Sequence, residues 1–205
     1  MNYSSYETLI KATRYRLIGR ADLDSRYNMV LEALEVALKY HKGFRKDNTT
    51  KEFYHQLNMF SYLMNLTQMM KDPHIILAVS LLHDTYEDYS ESHSELYEKF
   101  PELMHYVIRI SKVRNGEKIS YPQYFGEMQN CPVTSIVKAV DRIHNLSTMH
   151  NAFTVEKQRA YVQEVHEYFL PMLKHARRTF PEQVNVYELL KSNLLTLSQA
   201  ISDRI

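Results

Sequence analysis

Glycine occurs 4 times in 205 residues, and that scarcity constrains the fold more than any other feature of the chain. Tight hairpin turns and phosphate-cradling loops draw on glycine because it reaches positive φ at no steric cost. A chain so poor in it has little with which to build a meandering sheet. Neither a Walker nor a Rossmann glycine motif is present. The expected fold is therefore all-α. Apolar residues make up 44% and charged residues 24%, which excludes a disordered chain and supplies a core without disulfides. No linker, repeat or low-complexity tract breaks the sequence, so residues 1–205 read as a single compact helical bundle.

The apolar spacing is helical almost throughout. Asp22 or Asp24 caps a helix to about residue 40, with Met29, Val30, Ala33, Leu34, Ala37 and Leu38 inward and Gly43 as its C-terminal stop. A polar loop follows at 45–51, then a helix over about 52–70. Pro73 opens a run, Ile75-Ile76-Leu77-Ala78-Val79-Ser80-Leu81-Leu82, that is apolar all round and so marks the buried central helix. Two helices are expected over 90–100 and 101–113, a loop over 114–120, and a helix from Pro132 to about 149. A long helix interrupted near Pro171 covers about 155–177. The last, about 182–201, is expected to bury Val186, Leu189, Leu190, Leu194, Leu195 and Leu197.

Charge narrows the function. With 25 Lys+Arg against 24 Asp+Glu the net charge is +1, far from the basic excess of a nucleic-acid binder. No apolar run reaches the length of a membrane span, and Met1-Asn2-Tyr3-Ser4-Ser5 lacks a signal-peptide core. The single cysteine, Cys131, excludes an internal disulfide and fits a reducing cytoplasm. The expected partner is a small molecule, neither nucleic acid nor membrane, and homo-oligomerisation stays open.

Chemistry concentrates at four places: His55, His83-Asp84, Glu87-Asp88 and Asp141. On a helix, His83 and Glu87 stand four apart, as do Asp84 and Asp88, so each pair faces one side. A histidine and an acid at the end of an apolar helix are costly to bury without a cation. A divalent ion supplies one, and imidazoles with carboxylates suit Mn²⁺, Fe²⁺ or Mg²⁺ better than a thiolate zinc site.

Three stretches carry a resemblance. Ala37-Leu38-Lys39-Tyr40-His41-Lys42-Gly43-Phe44-Arg45-Lys46, with His55 beyond it, is similar to A-x-x-x-H-x-G-x-x-R-K. Leu81-Leu82-His83-Asp84-Thr85-Tyr86-Glu87-Asp88 is close to L-L-H-D-T-x-E-D. Lys138-Ala139-Val140-Asp141-Arg142-Ile143-His144-Asn145 matches K-x-x-D-R-x-H-N. The ordered set His, His-Asp, Asp is the signature of HD phosphohydrolases, and these patterns resemble the hydrolase domain of RelA/SpoT homologues, the small alarmone hydrolases that act on (p)ppGpp. Glu164, Tyr168 and Pro171 echo the same family's E-T-x-x-x-Y-x-P helix.

The resemblance implies roles. His55, His83, Asp84 and Asp141 would hold one Mn²⁺. Glu87 and Asp88 would position and deprotonate the attacking water. Arg45 and Lys46 would contact the nucleotide. Asn145 and Thr148 would hold the ribose or 3′-phosphates, with Lys112 and Tyr168 as further substrate contacts. Arg142 would pair with an acid or touch substrate, and His41 would orient the Arg45 loop. Where the family has G-x-P-Y-x-x-H-P, the chain has Asn48-Thr49-Thr50-Lys51-Glu52-Phe53-Tyr54-His55-Gln56. The base-gripping loop therefore differs, and guanine and adenine alarmones both stay open. So do an HD hydrolase of another nucleotide (NADPH, a cyclic dinucleotide or a dNTP) and a non-catalytic nucleotide-binding module.

Overall fold

The computed structural model describes residues 3–45, 48–114 and 116–205. The fold is all-α: the one sheet among the described residues pairs two strands of two residues each. The helices belong to two units, Met1–Asn65 with Asp72–Ser111, and Leu66–Lys71 with Lys112–Ile205.

The first unit holds α1 (Tyr3–Ala21), α2 (Tyr27–Tyr40), α3 (Tyr54–Met64), α4 (Pro73–Asp88), α5 (His93–Lys99) and α6 (Met104–Ile110). Helix α4 is its axis, with α2, α3 and α6 packed on it. Its apolar run leaves no polar face for water, so every residue from Ile76 to His83 is buried. Ser80 is tolerated there because its hydroxyl donates to the Leu77 carbonyl at 2.7 Å. Pro73 starts the helix where its missing N–H costs nothing.

Several expectations change. Helix α1 gives no apolar signal because its buried stripe runs Ile10, Thr13, Leu17, with a threonine at its centre. In α2 Val36 is buried, while Met29 and Leu38 are only half-buried. Helix α3 stops at Met64 rather than residue 70, and Thr67–Met69 forms a separate 3₁₀ turn. Gly43 is not a left-handed cap. Among the described residues positive φ occurs only at Asn48, Asp72 and Gly116, and α2 ends with the His41 N–H on the Ala37 carbonyl. Gly43 instead lies close against Glu52: a Cβ there would meet the end of the Glu52 side chain at 3.0 Å, and that carboxylate would have to shift.

The second unit holds β1 (Val113–Arg114), β2 (Glu117–Lys118), α7 (Tyr121–Met128), α8 (Pro132–Thr148), α9 (Val155–Glu164), α10 (Leu170–Thr179) and α11 (Val184–Ser202). The hairpin lies in the expected loop and turns at Gly116, whose φ is +81°. Helix α8 buries Val133, Ile136, Val137 and Val140, as its pattern predicts, and α11 packs along it. Of the expected core of α11, Leu195 is 38% exposed, and Tyr187 and Ser198 are buried instead. The interruption near Pro171 is a wide π turn at Val165–Phe169, where the Leu170 N–H reaches the Val165 carbonyl. Proline cannot donate to residue 167 and its ring crowds that carbonyl, so the preceding turn widens. No described helix is long and apolar enough to cross a membrane.

Candidate metal centre

Helix α4 turns polar in its last two turns, and there its side chains meet the first turn of α3. His55, His83 and Asp84 each offer one ligand atom, and these atoms lie within 4.8 Å of one another. Both histidines are buried, with ring centroids 5.7 Å apart. His83 Nδ1 lies 2.8 Å from the Ser80 carbonyl. A carbonyl only accepts, so Nδ1 carries the proton and Nε2 of the neutral ring is a lone pair. That lone pair lies 3.1 Å from Asp84 Oδ1. Two acceptors at that separation call for a cation, either a proton or a metal ion. Two imidazoles and a carboxylate around one point form a donor set that fits a divalent ion, with the Ser80 carbonyl fixing the tautomer.

Around this cluster the remaining groups are ordered. Gln56 Nε2 donates to the other Asp84 oxygen, Oδ2, at 3.2 Å. Glu87 and Asp88 end α4 and are exposed. Desolvation pushes the Asp88 carboxyl up to about 6, and the Asp84 and Glu87 charges add to the shift. His41 is no ligand of the cluster. It bridges elsewhere, with Nε2 at 3.1 Å from Thr85 Oγ1 and its ring stacked on Phe53. Burial lowers its pKa to about 4. Arg45 is half-buried and its N–H donates to the Thr50 carbonyl at 2.8 Å. Lys46 lies outside the described residues.

The other expected residues belong to the second unit. Asp141 on α8 receives Lys138 Nζ on Oδ2 at 2.7 Å and Asn145 Nδ2 on Oδ1 at 2.6 Å. These are neighbours three and four residues away on one helix face. The exposed Thr148 hydroxyl donates to the His144 carbonyl at 2.9 Å. Lys112 Nζ lies 4.9 Å from the centre of the Tyr121 ring, and burial together with the Lys138 charge pulls its pKa down to about 8. Tyr168 stacks on Phe125 and meets Tyr121 edge-on. Arg142 is 4% exposed and takes the first of its two sequence readings: it pairs with Glu164, and its guanidinium lies 3.9 Å from the Tyr161 ring centre.

Residues 33–178 match the HD domain family, a span that includes the α3–α4 cluster and the Asp141 helix. The chain belongs to the HD-domain family. Within that family it is RelA/SpoT-like. It is 28% identical over 155 residues to the GTP pyrophosphokinase of Streptomyces coelicolor, a match covering 72% of this chain and 18% of that relative. It is 27% identical over 158 residues to the guanosine-3′,5′-bis(diphosphate) 3′-pyrophosphohydrolase of Aquifex aeolicus, covering 72% of this chain and 22% of that one. The chain thus spans about a fifth of the length of these curated relatives. Family membership and the donor set support a metal-dependent phosphohydrolase.

Sequence reasoning assigned no role to Glu52. Its Oε1 accepts from the Gly43 N–H at 2.9 Å and from the Tyr89 hydroxyl at 2.5 Å, and His41 Nδ1 lies 3.8 Å away. One carboxylate oxygen thus ties the loop after α2 to Tyr89, the residue just past the end of α4. Glu52→Ala removes both bonds, the Tyr89 one part-buried and the Gly43 one exposed to water, so it is expected to cost the HD domain about 1 kcal/mol, measured as a lower denaturant midpoint at unchanged slope.

Proposed function

We propose that this HD domain removes pyrophosphate from the 3′ position of (p)ppGpp, or of a close purine analogue such as (p)ppApp. The observation that carries the proposal is the His55–His83–Asp84 cluster with two further carboxylates, Glu87 and Asp88, on the next turn of the same helix. A bound divalent ion lowers the pKa of water and polarises a phosphoryl oxygen. His55, His83 and Asp84 would hold it, and the resemblance adds Asp141 as a fourth ligand and Mn²⁺ as the ion. Glu87 and Asp88 take the proton from the attacking water. Water attacks the 3′-linked phosphorus, the bond from that phosphorus to the ribose oxygen breaks, and this oxygen leaves with a proton as the 3′-hydroxyl.

Arg45 and Lys46 offer cations to the phosphates, and the flat guanidinium also suits a purine face. Lys112, Asn145, Thr148 and Tyr168 are assigned to substrate by the resemblance. The substrate reading is further supported by the name of the Aquifex aeolicus relative. It implies a cytoplasmic enzyme of the nucleotide pool, with no nucleic-acid or membrane partner.

The altered stretch at 48–56 favours testing a second substrate class beside the first. Purified protein is incubated with ppGpp, pppGpp, ppApp, NADPH, a cyclic dinucleotide and a dNTP, each with Mn²⁺ and with chelator. Pyrophosphate released from the alarmones, and only with metal, is the expected result. A hydrolysis product from another nucleotide (orthophosphate from NADPH, a linear dinucleotide from the cyclic one, or a released polyphosphate from the dNTP) supports the second class, and binding without any product overturns both.

A further inference from the structure

We infer that Gln56 is a positioning residue of the metal centre, its carboxamide orienting the Asp84 carboxylate and offering an acceptor to water in the cluster. The inference rests on reading the His55–His83–Asp84 cluster as a metal site.

Gln56 follows His55 directly, where the family pattern has proline, and is 2% exposed. A side-chain amide that deep in the protein is retained only with partners. Nε2 has one: Asp84 Oδ2 at 3.2 Å. The other carboxylate oxygen, Oδ1, lies 3.1 Å from His83 Nε2. The two oxygens of Asp84 therefore face different neighbours, one on α3 and one on α4. That arrangement fixes the plane of the carboxylate and leaves Oδ1 as the oxygen directed at the cluster. The amide orientation follows from the same contact, since the reverse would set Oε1 against Oδ2, acceptor to acceptor.

The far end of the amide supplies the second observation. Gln56 Oε1 is buried and has no hydrogen-bond partner among the described residues. A buried acceptor without a protein donor, on an amide that already touches a metal carboxylate, is served by water. Groups that hold ligand side chains in this way tune metal affinity without touching the ion.

Gln56→Met keeps the length and bulk of the side chain and removes both amide atoms. Mn²⁺ is titrated calorimetrically into metal-free wild type and variant, and both are melted without metal. The variant is expected to melt close to wild type, because the methionine fills the same buried space and leaves no amide to satisfy, yet to bind Mn²⁺ about 10- to 100-fold more weakly. Equal Mn²⁺ affinity overturns the inference, whatever the melting temperature. A second measurement needs only wild type: on adding diamagnetic Mg²⁺, the Gln56 side-chain amide resonances are expected to shift, and unmoved resonances also overturn it. A wild-type chain that binds neither ion defeats the metal reading itself. Wild-type binding with an unaffected variant defeats the role of Gln56 alone.

Discussion

Asp84→Ala is expected to abolish metal-dependent hydrolysis while leaving the helical fold in place. Removing the carboxylate takes away the one acidic member of the three-residue cluster and leaves two imidazoles. Divalent affinity falls with it. Turnover is expected to drop about 10³-fold or more, the equivalent of the several kcal/mol a Lewis acid supplies to a phosphoryl transition state. The fold does not depend on this side chain in the same way. Asp84 is partly exposed and sits beside Glu87 and Asp88, and its charge helps to raise the Asp88 carboxyl. Taking one negative charge from that row relieves repulsion, which offsets the buried Gln56 amide left without its Asp84 acceptor, so the melting temperature without metal is expected to stay close to that of wild type. Circular dichroism melts, Mn²⁺ titration and product assay together test this. Full Mn²⁺-dependent turnover in the variant overturns the ligand assignment. His83→Ala is a poorer experiment, because it also empties a buried position and strands the Ser80 carbonyl.

What the sequence made legible follows from the range of the interactions involved. Helix α4 was readable because its apolar run, its opening proline and its polar end all lie within Pro73–Asp88. Its four acidic and imidazole groups were readable for the same reason, being spaced along one helix. Helix α1 was not, because its buried stripe passes through Thr13, which apolar counting ignores. Gly43 was misread because glycine after a helix usually serves a left-handed cap, whereas here it clears space for Glu52. Gln56 and Glu52 were invisible because each acts on a residue far along the chain: Gln56 on Asp84, 28 positions away, and Glu52 on Tyr89, 37 away. The pairing of Asp141 with Lys138 and Asn145 is of the opposite kind, set by helical spacing alone.

Asp88→Asn is expected to cut turnover about 10²- to 10⁴-fold, the usual contribution of a positioned proton acceptor, and to erase an acid limb in the rate profile. Desolvation, with Asp84 and Glu87 alongside, raises the Asp88 carboxyl to about 6. A proton acceptor works only when ionised, so wild-type activity should climb with pH along an acid limb and level off above about 6, the value of the metal-free protein. A bound divalent ion adds positive charge nearby and draws that limb to lower pH. Stability of the metal-free protein carries the same signature with a defined sign. The folded carboxyl holds its proton up to about 6 against an ordinary value of 3.8. Its stabilising contribution is therefore present at low pH and lost as pH rises through 6. His41 opposes it in the same window. Its folded pKa is lowered to about 4 from an ordinary 6.5, so its contribution is lost as pH falls. The wild-type curve mixes the two, whereas the difference between wild type and Asp88→Asn isolates the first. Without metal the asparagine variant should be the more stable above pH 6, and the gap should close toward pH 4 as the wild-type carboxyl protonates. Adding Mn²⁺ should reverse the order at neutral pH, because the ion favours the chain that keeps its negative charge. A variant that retains wild-type turnover and the same acid limb would move the proton-accepting role to Glu87.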